Sequence, residues 1–206
     1  MDGVIITGGI GDSGRWIVDA FVEDGWDVTV VDQRLPDDSL LSAHEGVDYR
    51  EIDVTDGGEM FEVVHDVAPT AVVHLAAYTA ENQSAPGTVF GNNVLATYYT
   101  LAAAGQVGAD TVIASSDSVY GYEQLPSRFP ISTEEDCRPA DAYSLSKLVS
   151  EEIARMAVRK YDMNVRALRT TWIQYPGEYN CLGVQEAPEY GTTNYWSYCD
   201  VRDVVS

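Results

Sequence analysis

A phenol and an ammonium stand four residues apart in Tyr143-Ser144-Leu145-Ser146-Lys147, a spacing that puts both on one face of a helix, one turn apart. A cation so placed lowers the pKa of the phenol, and the phenolate can take a proton from a substrate hydroxyl near neutral pH. Ser116 follows the apolar run Thr111-Val112-Ile113-Ala114, so its hydroxyl falls at the carboxyl end of a strand, where it can polarise the reacting oxygen. Lysine is scarce here: of 12 basic residues only Lys147 and Lys160 are lysines. That scarcity gives Lys147 weight, although a solvated helix lysine is the plainer alternative. Ser116, Tyr143 and Lys147 are therefore the candidate catalytic residues.

A second group suits an anion. Val4-Ile5-Ile6-Thr7 runs into Gly8-Gly9-Ile10-Gly11-Asp12-Ser13-Gly14 and then into a helical pattern. Glycines at 8, 11 and 14 let the backbone turn tightly and approach a pyrophosphate, which the N–H groups and dipole of the new helix would meet around Asp12 and Ser13. Asp32 closes the next apolar run, 24 residues after Gly8, close to the separation of about 20 expected of an acid that binds the adenosine ribose. Its carboxylate accepts from the ribose hydroxyls and repels a 2′-phosphate, which favours NAD over NADP as the cofactor. Arg34, two residues on, offers a phosphate partner and keeps NADP as the alternative. Gly8, Gly11, Asp12, Ser13, Gly14 and Asp32 are thus candidate cofactor contacts.

The elements that must position these groups alternate along the chain. Strands are expected at 4–7, 28–31, 47–52, 71–75, 111–114 and 165–168. Helices are expected at 15–23, 59–65, 89–104 (closed by Gly105) and 142–160. Six strands separated by helices predict an α/β fold, a doubly wound, Rossmann-like parallel sheet. The loop from Gly121 to Asp141 holds Pro126, Pro130 and Pro139, and a loop of that length in a compact domain is usually functional. After Leu168 the periodicity fades into an aromatic-rich stretch with Trp172, Tyr175, Tyr179, Tyr190, Tyr195, Trp196 and Tyr198. These rings offer faces for sugar stacking or packing for a small C-terminal region. The expected division is 1–168 as the NAD-binding part with the catalytic residues and 169–206 as a partial substrate-binding region.

Composition excludes several partners. The 206 residues carry 33 acidic and 12 basic side chains, a formal net charge of −21. A nucleic acid or an anionic membrane surface needs basic groups that this chain lacks, and no apolar run nears the roughly 18 residues of a membrane span. A strand-like run at Val4 leaves no room for a leader, and Cys137, Cys181 and Cys199 form no CxxC pair, so a cytoplasmic protein with free thiols is expected. His44, His65 and His74 are scattered without metal-ligand spacing, so no metal is expected. Abundant carboxylates with almost no lysine suggest a protein that works in high salt, where self-repulsion is screened.

The chain resembles the extended short-chain dehydrogenase/reductase family, also called the NAD-dependent epimerase/dehydratase family. The resemblance rests on Thr7-Gly8-x-x-Gly11-x-x-Gly14, Asp53-Val54, His74-Leu75-Ala76-Ala77, Asn93-Val94, Ser115-Ser116-Asp117-Ser118-Val119-Tyr120-Gly121, Tyr143-x-x-x-Lys147 and Val201-Arg202-Asp203-Val204-Val205. It implies that Asp53 and Val54 flank the adenine and that Leu75, Ala76 and Ala77 line the dinucleotide channel. It also implies that Asn93 sits near Lys147, which contacts the cofactor together with Tyr143. For His74 a buried strand-end residue is the reading of the residues themselves, and for Asn93 an intrahelical polar residue is the alternative.

The resemblance implies hydride exchange with a secondary alcohol of a sugar or sugar nucleotide, as a sugar dehydrogenase or nucleotide-sugar epimerase. Dehydratases of the family carry a glutamate where Ser118 stands, so water elimination is not expected. Galactose epimerases carry an asparagine where Trp172 stands, so a smaller polyol or free sugar remains open beside a sugar nucleotide. Members continue beyond the position of Val205 and often pair through their two long helices, which implies a homodimer. A non-catalytic NAD-binding sensor or scaffold on the same fold is the alternative from another class.

Overall fold

In the computed structural model, residues 2–36, 46–79, 84–122, 126–186 and 197–205 are described. Of the residues singled out above, His44, Tyr190, Tyr195 and Trp196 lie outside them, as do positions 123–125 of the long loop. Six strands form one parallel sheet: β1 (Gly3–Thr7), β2 (Asp27–Asp32), β3 (Asp48–Glu51), β4 (Ala71–His74), β5 (Asp110–Ala114) and β6 (Val165–Leu168). Their order is β3-β2-β1-β4-β5-β6. Val4, Ile5 and Ile6 are wholly buried because a parallel strand covered on both faces must be apolar on both. Ile5 packs with Val31, Val72 and Ile113 on one face, while Val4 and Ile6 pack with Val28, Val30 and Val73 on the other, the two-residue alternation of a pleated strand.

Three helices cover the first face: α2 (Gly57–Val67), α3 (Pro86–Val107) and α4 (Ala142–Tyr161). The second face carries α1 (Asp12–Glu23). Asp56 caps α2, accepting from the N–H groups of Gly58 and Glu59. Asp141 and Ser144 form a reciprocal capping box on α4, which fixes the start of the helix that carries Tyr143 and Lys147. The region after Leu168, where periodicity faded, holds regular elements of its own. β7 (Trp172–Gln174) pairs in parallel with β8 (Tyr198–Asp200), α5 (Asn180–Glu186) lies between them in sequence, and α6 (Val201–Val205) packs against α1. Those strands were not legible because each is three residues long.

Gly105 does not close α3. The helix runs through it to Val107 and ends at Gly108, which takes the left-handed conformation at φ 73°. A Cβ on Gly105 would sit 2.5 Å from the Tyr161 ring of α4, so glycine serves there as a notch for packing rather than as a stop. Gly105→Ala therefore gains about 1 kcal/mol of helix propensity but overpacks against a rigid ring, at a cost of about 1–3 kcal/mol. The expected outcome is a net loss of stability in urea unfolding that disappears when Gly105→Ala is made in a Tyr161→Ala background; a stabilised single variant would contradict it.

Candidate functional site

The strand order reverses between β1 and β4, and the carboxyl ends of these strands open the crevice where such sheets take ligands. Gly8, with φ 72°, turns the chain out of β1; a Cβ there would lie 2.8 Å from the Ala76 nitrogen, and one on Gly14 would lie 2.2 Å from the Gly8 oxygen. Only glycine permits this cradle. The helix it opens, α1, has Gly11 at its N-cap and no side-chain cap, which leaves first-turn N–H groups free to face an anion. Asp32 ends β2 on the same cleft, its pKa raised by burial despite backbone hydrogen bonds from Ile10, Gln33 and Arg34. Tight backbone, open helix end and strand-end carboxylate fit a dinucleotide.

Gly8, Gly11, Asp12, Ser13, Gly14, Asp32, Asp53, Val54, Leu75, Ala76, Ala77, Ser116 and Tyr143 all line one cleft of about 1260 Å³. Asn93 and Lys147 stand behind its wall, 2% and 6% exposed. Asn93 clamps the chain after β4: its side chain accepts from the Tyr78 N–H at 2.8 Å and donates to the Tyr78 carbonyl and to Ser146 Oγ, both at 3.0 Å. His74 is a buried strand-end residue held by Thr7, Thr97 and Thr100. Burial, aided by the nearby Lys147 charge, drives its pKa down to about 3, so it stays neutral.

The catalytic candidates converge from three segments. Ser116 follows β5 and caps the short 3-10 turn Asp117–Tyr120, its Oγ accepting from the N–H and the hydroxyl of Ser118 at 3.1 and 2.9 Å. Tyr143 lies in the first turn of α4, and Lys147 one turn on places Nζ 5.6 Å from the Tyr143 ring centroid. The expectation that Lys147 depresses the Tyr143 pKa is not met in this state. Burial raises the phenol above its ordinary value against the Ser116 hydrogen bond. The Lys147 Nζ instead donates to the Ala114 carbonyl at 2.7 Å, and burial alone lowers its own pKa to about 8.

Several contributors escaped the sequence reading. Glu151 lies one further turn along the face of Tyr143 and Lys147, a spacing that was there to be read. It accepts from Ser115 Oγ at 2.7 Å and from two Arg169 nitrogens at 2.8 and 2.7 Å. Burial acts to raise its pKa, but the Arg169 and Ser115 contacts prevail and hold it below the usual range. Asp117, raised by burial, accepts from the Tyr122 hydroxyl at 2.8 Å, and both line the cleft beside Ser116. Of the rings that the sequence offered for stacking, Trp172 and Tyr175 do face the cleft, whereas Tyr179 is engaged by Asp200. Thr171, on the same wall, has the one buried side-chain polar atom without a hydrogen bond among the described residues. No group of three or more His, Cys, Asp or Glu that could hold a metal ion occurs among the described residues, and no helix of theirs is long and apolar enough to cross a membrane.

A glycine cradle at the switch point of a six-stranded parallel sheet defines a Rossmann-type dinucleotide-binding fold. The chain belongs to the NAD dependent epimerase/dehydratase family, whose model matches residues 4–180. It is 27% identical over 190 residues to a UDP-glucose 4-epimerase of Streptococcus mutans, covering 90% of this chain and 56% of that protein. Over 185 residues it is 27% identical to a dTDP-glucose 4,6-dehydratase of Salmonella typhimurium, covering 78% of this chain and 51% of the other. The crystal structure of a UDP-glucose 4-epimerase from Brucella ovis in complex with NAD superposes with a TM-score of 0.74 at 27% identity, covering 84% of this chain and 53% of that one. The chain thus spans about half the length of the curated relatives it matches.

Lys147 carries a testable stability cost. Its ordinary pKa of 10.5 falls to about 8 in the folded chain, so between those values the unfolded chain binds the proton that the folded chain has released. Stability from this group therefore rises with pH through that window. Lys147→Met is expected to be more stable than the parent by about 1–3 kcal/mol near pH 7, an advantage that shrinks toward pH 10. Urea unfolding of both proteins at the two pH values measures it, and a pH-independent difference would sink it.

Proposed function

We propose that this chain binds NAD in the cleft and exchanges hydride with a secondary alcohol of a sugar or sugar nucleotide. The observation that carries the reading is that Ser116 and Tyr143 share one cleft with the glycine cradle and Asp32. Bound there, NAD supplies the two-electron acceptor for the hydride. The Ser116 hydroxyl orients the reacting oxygen. Tyr143 takes the hydroxyl proton as the carbon gives up its hydride, leaving a ketone. Lys147, behind the ring and held by the Ala114 carbonyl, would favour the phenolate and reach the cofactor only by turning from that carbonyl toward the phenol when NAD is bound. Asp53, Val54 and Leu75 to Ala77 would flank the dinucleotide, and Asn93 would hold the loop at Tyr78 against α4.

An epimerase would need the ketone to be reduced again on its opposite face before it leaves the cleft, whereas a dehydrogenase would let the ketone go. Residues 1–168 would serve as the NAD-binding part and 169–206 as part of the substrate region of a cytoplasmic enzyme. Exposed Leu95 and Tyr98 on α3 and Leu145 and Val158 on α4 support a homodimer through those helices.

The test is nicotinamide absorbance in concentrated KCl with NAD or NADP and a panel of free sugars, uronic acids and sugar nucleotides. Reduction by one class identifies a dehydrogenase; for the epimerase form, interconversion of a sugar nucleotide at catalytic NAD is read by chromatography. Tyr143→Phe is expected to lower turnover by about 10²–10⁴-fold with NAD affinity kept, whereas a sensor would lose neither. Asp32→Ala should raise the affinity for NADP relative to NAD by about tenfold, through loss of charge repulsion; an unchanged ratio in titration would remove Asp32 from the ribose.

A further inference from the structure

Ser13 and Tyr175 are 162 positions apart in sequence, yet their hydroxyls lie 2.8 Å apart. Ser13 belongs to the first turn of α1, at the uncapped N-terminus, and both residues line the cleft. Tyr175 is presented by a stiff support. It opens the turn Tyr175-Pro176-Gly177-Glu178, in which the Glu178 N–H donates to the Tyr175 carbonyl at 2.9 Å and Gly177 has φ 87°, the type II pattern of proline followed by a left-handed glycine. That turn follows β7, β7 pairs with β8, and α6 beyond β8 packs against α1. The C-terminal region thus touches α1 through α6 and, through one phenol, at its first turn.

Charge makes that phenol matter. Asp12, Asp32, Asp53 and Asp117 line the cleft, and Arg34 is its one basic side chain among the described residues. A pyrophosphate entering here meets little positive charge, so neutral donors must supply the binding: helix N–H groups and hydroxyls. Burial, together with the Asp12 carboxylate, keeps the Tyr175 phenol protonated against the pull of Ser13 and of the nearby Arg15 charge. A protonated phenol donates a hydrogen bond in a site already crowded with carboxylates.

We infer that Tyr175 is a latch on the cofactor: its hydroxyl, paired with Ser13 over the first turn of α1, holds the phosphates of the bound dinucleotide and slows their release. This rests on the NAD reading above. The phenol adds a contact from the C-terminal region, so cofactor residence depends on a segment outside the glycine cradle.

The test is the dissociation rate of NAD from the whole chain, followed by tryptophan fluorescence in stopped flow, for the parent, Tyr175→Phe, Ser13→Ala and the double variant. One neutral hydrogen bond predicts that each single variant releases NAD about 3–10-fold faster. The double variant should be no faster than the faster single one, because the two hydroxyls act as a pair. A merely structural staple would lower the melting temperature of the NAD-free variants and leave the dissociation rate alone, which would overturn the latch. If Tyr175→Phe fails to fold, Ser13→Ala decides: unchanged release overturns the proposal. A parent chain that binds no NAD overturns the NAD reading and the latch together, whereas intact binding with unchanged release overturns the latch alone.

Discussion

Two charged side chains one turn apart on α4 are docked onto successive residues at the end of β5, and the rest of the site depends on that docking. The Lys147 ammonium donates to the Ala114 carbonyl, and the Glu151 carboxylate accepts from the Ser115 hydroxyl. Ser116, next in line, is thereby left facing the first turn of α4, where Tyr143 sits. Arg169, at the end of β6, completes the arrangement by a bidentate pair with Glu151. Removing one partner of such a buried pair strands a charge, so these residues hold each other in place more than they add net stability.

Burial has opposite consequences within this group. It raises the Tyr143 phenol and lowers the Lys147 ammonium to about 8, pushing both toward neutrality. In this state the phenol therefore keeps its proton, while Lys147 gives up its own more readily than an exposed lysine. The same burial makes Lys147 costly to the fold. Asp117 and Tyr122 extend the group on the substrate side: burial raises the Asp117 carboxyl, and the phenol of Tyr122 donates to it. Around the cradle the logic differs, because α1 presents bare N–H groups where side-chain cations are almost lacking. Carboxylates outnumber cations along the cleft, in keeping with a chain of net charge −21.

The C-terminal forty residues show how far pattern carries. Trp172 and Tyr175 reach the cleft, Tyr198 stays largely exposed, and Tyr179 spends its hydroxyl on Asp200. Their sequence context is much the same, a ring among polar residues and turn formers. What separates them is which three-residue strand pairs with which, and the register of β7 against β8 joins residues 26 positions apart, as in Trp172 and Tyr198. No local signal encodes that.

Sequence alone determined the sheet and both ends of the cleft. Four buried strands of β-branched residues, glycines at 8, 11 and 14, Asp32 at a strand end and Tyr143 four before Lys147 are local patterns, each enforced by backbone sterics or helical periodicity. Tertiary structure decided what those groups face. It turned Lys147 to the Ala114 carbonyl rather than to the phenol, put Asn93 behind the wall and not on it, and made Gly105 a notch for Tyr161 instead of a helix stop. It also brought Tyr175 to Ser13. Each of these outcomes depends on contacts between segments distant in the chain and on burial, and neither is a property of a residue's neighbours in sequence.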